Sequence, residues 1–479
     1  MRYPKTMLSI IIATLLLLSF TICPLADDSG ASSVSESSVS ADGGEDDGYE
    51  TVPEGLYSEA YVVMDSRTGQ VLVEKNMDEK LYPASITKIL TVALALQYCD
   101  QSEMHTMTAE AVRLPANSSH IALLEGEEIS VKDLAYASML PSANDAANGL
   151  GEHVAQKLEL DGLSGFAELM NRTAAEIGAV NTHFVNASGL PDDNHYTTAY
   201  DMALITKYAL GIDGFREVFG RIQYTIQPTN LNSVARNIGT QHYMIAQSIY
   251  YYEGATGGKL GWTAASKCTC VTVANRGDRE LICVSLKTNG AHDKYEDTTK
   301  LFDYCFDNFS YVPVSLGNMS ELVVPVVENS ITTGQIISDG SFTMKLLLHK
   351  AVAGNEIDVD YSAPEFYPSA DSVTENVPTV TLRLEGDVGR YMRAQLGTYP
   401  LDYSYSRVES DFSGRYAAAI RPVEKVPKLS PAAKVFLAVA LVIALLIIGL
   451  FVIRAVNLRR YRSRRLGRYS RSRYTGYHD

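Results

Sequence analysis

Cysteine is scarce in this chain: it has 479 residues and six cysteines, which follow no metal-binding spacing. Five of them lie beyond the first apolar segment, and an odd number in a large folded region does not indicate a disulfide scaffold. One bridge from Cys283 to Cys268 or Cys270 is compatible with the sequence, and so are buried free thiols. The chain also lacks a fixed-period repeat, a phosphate-binding glycine pattern and a His-Glu-x-x-His motif. We therefore expect the protein to use no metal, cofactor or nucleotide.

An excess of positive charge is also lacking, because 41 Lys and Arg stand against 56 Asp and Glu, giving a formal net charge of -15. Nine of these positive charges lie in an arginine-rich run near the C-terminus, so the preceding part is more acidic still. This balance argues against a nucleic-acid partner. The length, with 46% hydrophobic residues, allows a sizeable core and two domains.

The first 26 residues have the layout of a secretory signal peptide: Arg2 and Lys5, then an apolar run over 7–20, then small residues up to Ala26. Pro24 is unfavourable for cleavage after Ala26, so removal of the segment and its retention as an anchor both stay open. Residues 27–55 are mostly Ser, Gly, Asp and Glu, which predicts a disordered acidic linker. The chain is expected to be exported.

Near the other end, residues 435–453 contain no charged side chain. At a rise of ~1.5 Å per residue, a helix of this length approaches the ~30 Å hydrocarbon thickness of a bilayer. A buried core helix is the alternative, but residues 454–479 are rich in arginine, as cytoplasmic flanks of membrane spans are. We predict a single C-terminal transmembrane helix in the cell membrane, a basic cytoplasmic tail and an extracytoplasmic catalytic domain.

Hydrophobic periodicity predicts a chain of the α/β class, more narrowly α+β. Alternation over 60–75 indicates a β-hairpin, and the segment 312–421 has turn residues and no helical period. We therefore expect a catalytic domain over 56–310, built from an antiparallel sheet with a helical insert, and a small β-rich domain over 311–425. The helices are predicted at 85–98, 131–139, 145–158, 163–177, 198–210 and 295–309, and a second hairpin at 267–274 and 281–286.

The first chemical motif is Pro83-Ala-Ser-Ile-Thr-Lys88 at the start of an apolar helix. A spacing of three places Ser85 and Lys88 on one helix face. Serine is a weak nucleophile that needs a nearby base, and a lysine whose pKa is lowered by burial can serve. Alone, such a pair is more often a capping serine and a solvated lysine.

The second motif, Ser142-Ala-Asn144, lies on a loop that leads into the helix predicted at 145–158. A hydroxyl and an amide at this position are able to relay protons and to hold a substrate amide. Ser and Asn also favour helix N-caps, and by itself the segment is better interpreted as an ordinary cap. Only its order relative to the other motifs gives it weight.

The third motif, Gly257-Gly-Lys-Leu-Gly-Trp-Thr263, is expected to enter the strand that begins the second hairpin. Lys259 with close-approach glycines on a strand edge suits an anionic peptide end. By itself the segment is more often a glycine-rich turn with a solvated lysine.

Apart from Leu260, the three motifs follow in order the Ser-x-x-Lys, Ser-x-Asn and Lys-Thr-Gly set of β-lactamases and penicillin-binding proteins. Residues 83–89, Phe184-Val-Asn-Ala-Ser-Gly-Leu190 and Thr198-Ala-Tyr-Asp-Met202 make the resemblance more specific. Over residues 56–309 the chain resembles the low-molecular-weight D-alanyl-D-alanine carboxypeptidases. The resemblance implies a β-lactamase/transpeptidase-like catalytic domain, a β-rich domain after it and a membrane-associated C-terminus.

The resemblance also implies residue roles. Ser85 would be the acylated nucleophile, Lys88 its base, and Ser142 with Asn144 the second catalytic element. Lys259 would be the charge on the facing strand. The implied reaction removes the last D-alanine of a peptidoglycan stem peptide through an acyl-enzyme, and β-lactam antibiotics would mimic that substrate.

Substrate binding is expected at the third motif, where the resemblance assigns it to Lys259, Gly261, Trp262 and Thr263. Backbone N–H groups of Ser85 and Trp262 would form the oxyanion hole. No metal ligand is expected. Leu260 departs from the pattern, because it cannot donate the hydrogen bond that the usual threonine gives to the substrate's carboxylate.

Two alternative functions stay open. The first is a wall-binding or penicillin-sensing protein of the same fold, with chemistry weakened by Leu260. The retained nucleophile and base argue against a pure binder. A β-lactamase is less favoured, because that class places a catalytic Glu four residues before an Asn, whereas Glu168 and Asn171 are three apart on an amphipathic helix.

Overall fold

A computed structural model of the chain describes residues 48–316, 322–328, 330–338 and 341–407. The predicted signal peptide, the transmembrane helix, the basic tail and most of the acidic linker lie outside these residues. Within the described part of the chain, no helix combines the length and apolar character needed to cross a membrane.

A five-stranded antiparallel sheet forms the centre of the catalytic part, in the order β2-β1-β9-β8-β7. The first hairpin and the β8–β9 hairpin confirm the predictions from alternation. Each face of the sheet is covered, so the alternating residues of β1 enter two different cores: Val62 and Met64 pack into one, Tyr61 and Val63 into the other. The strands are β1 (Ala60–Asp65), β2 (Val71–Lys75), β7 (Ala255–Thr263), β8 (Lys267–Arg276) and β9 (Arg279–Thr288).

The helical insert covers one face of this sheet and a single long helix covers the other. The helices predicted from the 3.6-residue period are all present with ends shifted by no more than three residues, which confirms the α+β class. They are α1 (Lys88–Tyr98), α2 (Val131–Met139), α3 (Asn144–Lys157), α4 (Gly162–Glu176), α5 (Ala199–Leu210), the short α6 (Phe215–Phe219) and, on the far face, α7 (Asp293–Asn308).

Strand β7 corrects one prediction. The sequence placed the glycine-rich segment 257–263 at the entrance to the strand that starts at 267, but it forms a separate strand at the edge of the sheet, paired with β8. Glycine is depleted in strands, and this hid the element. Glycine is required at these positions by close packing: a Cβ at Gly257 would lie 2.2 Å from the Phe219 ring, and one at Gly258 would lie 2.3 Å from the His242 ring.

Two short hairpins went unpredicted because their strands have three or four residues, too few for a period to show. They are β3 (Met104–Thr106) with β4 (Glu128–Ser130), and β5 (Gln223–Ile226) with β6 (Arg236–Gly239). The first hairpin lies between α1 and α2, and the second lies between α6 and strand β7.

The region after α7 is built from short strands, as predicted, with a single 3-10 turn at Asp371–Glu375 among its described residues. Its strands form three small antiparallel sheets, β10-β13, β11-β12-β17 and β14-β15-β16. The bounds are β10 (Phe309–Leu316), β11 (Leu322–Glu328), β12 (Ile331–Ser338), β13 (Phe342–His349), β14 (Ile357–Ser362), β15 (Thr379–Leu384), β16 (Gln395–Pro400) and β17 (Ser404–Arg407).

This β-rich region is packed against the catalytic sheet. The Gln70 side-chain amide makes two hydrogen bonds with the backbone of Leu347, at 2.8 and 2.9 Å, and Arg393 N donates to Leu72 O. The apolar cluster that contains Tyr61 and Leu72 continues without a break into β13, β15 and β16.

The five described cysteines are all buried and unbridged, which decides between the two interpretations left open by the sequence. Cys268 and Cys270 belong to β8 and Cys283 to β9, as predicted. They pack as small apolar side chains.

Candidate active site

Ser85 lies in a 3-10 turn, Ala84–Thr87, that runs directly into α1. The turn is held from two sides, because a Cβ at Gly189 would lie only 1.9 Å from Ala84 O, and Thr269 Oγ1 donates to Pro83 O at 2.8 Å. The Ser85 side chain is half-buried and opens into a cavity of about 600 Å³. The nucleophile predicted from the first motif therefore faces a pocket.

Lys88 is completely buried, one turn from Ser85. Its Nζ lies 3.0 Å from Ser85 Oγ, 2.7 Å from Asn144 Oδ1 and 2.6 Å from Ser188 O. A neutral amine has two N–H groups and one lone pair. The two carbonyl oxygens accept the two N–H groups, so the lone pair is left for the Ser85 hydroxyl.

Burial is the main reason that the pKa of Lys88 lies well below its usual value, and the nearby Lys259 ammonium adds to the effect. The Asp145 carboxylate opposes it, but that carboxylate accepts hydrogen bonds from the backbone N–H groups of Ile121, Leu123 and Ala146. The depressed pKa is the property that a general base for serine needs.

Ser142 and Lys259 form the second half of the site. Lys259 Nζ donates to Ser142 Oγ at 2.9 Å and to Leu260 O at 2.9 Å. Both side chains are buried, and burial lowers the pKa of Lys259 to about 7. Ser142 adopts a positive φ of 65°, a conformation that turns its hydroxyl toward β7 at a cost in backbone energy. Strain of this kind is typical of functional sites.

Gly261 brings strand β7 against the nucleophile. A Cβ there would lie 2.7 Å from Ser85 N and 2.4 Å from Thr269 Oγ1, so only glycine allows this approach. Trp262 follows next in the chain, and its ring is 67% exposed at the mouth of the cavity. The structure thus brings β7 close to the Ser85 N–H, to which the family resemblance gives a place in the oxyanion hole.

Thr263 lies in the cavity wall, but its hydroxyl belongs to a turn. Thr263 Oγ1 donates to Ser266 Oγ at 2.8 Å and accepts from Ser266 N at 2.9 Å. The Thr263 hydroxyl is therefore already hydrogen-bonded, which limits its ability to replace the hydroxyl that Leu260 lacks. Leu260 itself is half-buried in the same wall.

Three groups in the site were missed by sequence reasoning. Ser188 contributes a backbone carbonyl, Asp145 a buried carboxylate, and Lys294 lines the cavity from α7 while donating to Ala291 O. Asp145 directly follows the second motif, and this position was the one available signal. The position of the Ser188 carbonyl depends on the path of its loop, and Lys294 lies 31 residues past the end of the third motif, so neither role has a signature in the sequence.

The chain's likeness to known proteins agrees with this geometry. The family model described as D-alanyl-D-alanine carboxypeptidase matches residues 49–290, half of the chain. This chain belongs to the D-alanyl-D-alanine carboxypeptidase family. The match contains all three motifs.

Individual members of the carboxypeptidase family extend the match. D-alanyl-D-alanine carboxypeptidase DacF of Bacillus subtilis is 26% identical over 71% of this chain and 85% of its own length. DacC of Escherichia coli is 32% identical over 53% of this chain and 62% of its own length. The crystal structure of DacD from Francisella tularensis, at 21% identity, covers 77% of this chain and 99% of its own with a TM-score of 0.53, a likeness in fold.

His195, which follows the carboxypeptidase motif at 184–190, has a structural role. Its Nδ1 accepts from Val185 N at 3.2 Å, and its Nε2 lies 2.9 Å from Thr87 Oγ1. Burial lowers its pKa to about 4. The ring is therefore neutral at neutral pH and braces the turn that carries Ser85.

Proposed function

We propose that the protein removes the terminal D-alanine from peptidoglycan stem peptides through an acyl-enzyme on Ser85. One observation carries the proposal: the buried Lys88 amine lies 3.0 Å from Ser85 Oγ while two carbonyl oxygens accept its N–H groups. The lone pair of the Lys88 amine is therefore directed at the Ser85 hydroxyl. Membership of the carboxypeptidase family supplies the substrate class.

Acylation begins when Lys88 takes the Ser85 proton and Ser85 Oγ bonds to the carbonyl carbon between the two D-alanines. The N–H groups of Ser85 and Trp262 stabilise the oxyanion, because Gly261 lets β7 come close to the nucleophile. The C–N bond then breaks and D-alanine leaves with a proton on its amine. Water hydrolyses the ester and restores the Ser85 hydroxyl.

Ser142 supplies the path for the leaving group's proton. It lies between the buried Lys259 ammonium and the cavity, so its hydroxyl can pass a proton to the departing amine and regain one from Lys259 or, through solvent, from Lys88. Asn144, held by Lys88, places its amide at the same wall for the substrate's backbone. The second motif thus serves the second half of acylation.

The substrate's terminal carboxylate is bound by lysines in this chain. Lys294 lines the cavity, and Lys259 lies buried behind the Leu260 wall, where its Nζ donates to Leu260 O; Leu260 itself offers no hydroxyl. One hydrogen bond to a charged group contributes about 1.5–3 kcal/mol. We infer that Lys294 makes up part of that difference.

Replacing Leu260 with threonine restores a donor to the carboxylate, and we expect kcat/KM for a D-Ala-D-Ala peptide to rise by about ten- to a hundredfold. Steady-state D-alanine release measures this effect. Leu260→Val is the matched control, since it shortens the side chain in the same way without adding a hydroxyl. An equal gain in both variants would show that space, and not the hydrogen bond, was limiting.

The acylation rate should depend on pH with two limbs. Lys88 has a lowered pKa and acts when neutral, so acylation increases as pH rises through that pKa. Lys259 attracts the anionic substrate when charged, and it loses that charge as pH rises through its pKa of about 7. Stopped-flow acylation by penicillin between pH 5 and 9 should show a maximum. A rate that rises steadily to pH 9 would exclude the role given to Lys259.

D-alanine release by the purified full chain from a peptide ending in D-Ala-D-Ala tests the proposed function directly, alongside covalent labelling by a fluorescent penicillin. Release with labelling supports the carboxypeptidase. Labelling without release indicates a penicillin-sensing protein, and rapid loss of the label with turnover of penicillin indicates a β-lactamase.

We propose further that the reaction takes place outside the cytoplasmic membrane, with the chain anchored by residues 435–453. This proposal rests on the sequence of segments outside the described residues: the apolar run, the arginine-rich tail and the signal-like N-terminus. Peptidoglycan stem peptides are reached from that side.

A further inference from the structure

A second cluster of reactive side chains lies at the opposite ends of the helices that carry the catalytic site. Cys99 directly follows α1, Glu103 lies in the turn before β3, and His153 is on α3. One donor atom from each, a thiol sulfur, a carboxylate oxygen and an imidazole nitrogen, lies within 4.8 Å of the others. Three donors of different type at such distances can converge on one ion.

The two oxygens of Glu103 have different partners. Oε1 accepts from Lys157 Nζ at 2.5 Å and from Asp100 N at 2.7 Å, so it is already held in place. Oε2 faces His153 Nε2 at 3.0 Å. Orientation of a ligand oxygen by an outer hydrogen bond is a usual feature of metal sites.

A buried imidazole adjoins this cluster. The His105 ring stacks edge-on to His153 with centroids 5.5 Å apart, and its Nε2 lies 3.2 Å from Glu152 Oε2. His105 is 1% exposed, and among the described residues its Nδ1 has no hydrogen-bond partner. An unsatisfied nitrogen in a buried ring is unusual, and this one belongs to a ring in direct contact with His153.

We propose that Cys99 Sγ, Glu103 Oε2 and His153 Nε2 bind a zinc ion, with water in the fourth position. Sulfur, imidazole nitrogen and carboxylate oxygen are the ligands that Zn²⁺ takes in tetrahedral sites. The Cys99 proton passes to solvent and the thiolate electron pair forms the Zn–S bond. The hydrogen bond between His153 Nε2 and Glu103 Oε2 breaks, and the Nε2 proton moves through solvent to Nδ1, so that the Nε2 lone pair and Oε2 both face the ion. Oε1 keeps its hydrogen bonds to Lys157 and Asp100, so the outer contacts are retained.

The position gives the ion a structural role. Helices α1 and α3 are joined at their first turns by the hydrogen bond between Lys88 and Asn144. Zinc would join the other ends, through Cys99 and His153. It would hold the two helices in register along their length without touching the substrate cavity, whose lining contains none of its ligands.

Titration of the metal-free full chain with zinc chloride, followed calorimetrically, tests the proposal, with thermal unfolding measured in parallel. We expect one zinc per chain, a Tm that rises with free zinc, and a thiolate-to-metal absorption band when cobalt is used. Cys99→Ser and His153→Gln should each lower the zinc affinity by at least about tenfold. Glu103→Gln, at a partly exposed position, repeats the test in case a buried substitution prevents folding.

Cys305→Ser is the matched control, because it also removes a buried thiol but lies in the other core. It should bind zinc like the unaltered chain. Absence of zinc binding by the unaltered chain overturns the proposal, as does equal binding by the Cys99 and His153 variants. The zinc measurements do not depend on D-alanine release. A failure of the zinc proposal can therefore be distinguished from a failure of the proposed function.

Discussion

With Ser85 replaced by alanine, covalent labelling by penicillin should vanish and D-alanine release should fall by on the order of 10⁴-fold or more. The reason is chemical: no other hydroxyl among the described residues lies within hydrogen-bond distance of Lys88 Nζ. The loss should appear in kcat, because the cavity walls that hold the substrate are unchanged. Intact-mass spectrometry of the penicillin adduct and a D-alanine assay measure the two effects.

Ser118→Ala is a suitable control for this substitution. Ser118 lines the same cavity, and its hydroxyl donates to Pro115 O and not to a group of the proposed mechanism. It should label and turn over within a few-fold of the unaltered chain. Residual labelling of the Ser85→Ala variant at the original rate would place the acyl group on another residue and refute the mechanism.

Replacing Lys88 with methionine should lower the acylation rate by about 10²–10⁴-fold, the usual contribution of a general base. Methionine keeps much of the side-chain volume and removes the amine. Because the base is gone, the acid limb of the pH profile should disappear as well, which a purely structural role for Lys88 would not produce. Stopped-flow acylation across pH measures both effects.

A surface lysine provides the control for Lys88→Met. Lys300 on α7 pairs with Glu296, is 41% exposed and does not line the cavity. Lys300→Met should leave the rate and both limbs unchanged. If Lys88→Met lowered the rate but kept the acid limb, Lys88 would position Asn144 and some other group would be the base.

Most of the fold could be predicted from hydrophobic period, since α2, for example, occupies the predicted 131–139 and is buried along most of its length. Strand β7 could not, because three glycines within residues 257–261 look like a turn until the neighbouring rings of Phe219 and His242 are known. The order of the motifs placed Ser85, Lys88 and Asn144 in one site, and the structure brings these three side chains into contact. It could not locate the Ser188 carbonyl, since the position of a backbone oxygen depends on a loop's path and not on residue type.

The zinc ligands illustrate the same limit. Cys99 and Glu103 are four residues apart and His153 is fifty residues further on, a spacing that no metal motif uses. Only the packing of α1 beside α3 brings them together. The expectation of no metal was based on sequence spacing alone, and the proposed site is therefore a test of that reasoning.

The apolar cluster shared by the catalytic sheet and the β-rich region has a consequence for cooperativity. A chain cut near residue 310 would retain the segment matched by the family model, yet would expose the side chains of Tyr61 and Leu72 and leave the Gln70 amide without Leu347. Because the two regions share one core, the unfolding of either region disrupts the other. The β-rich region therefore stabilises the catalytic domain, and the two should unfold together in a single thermal transition.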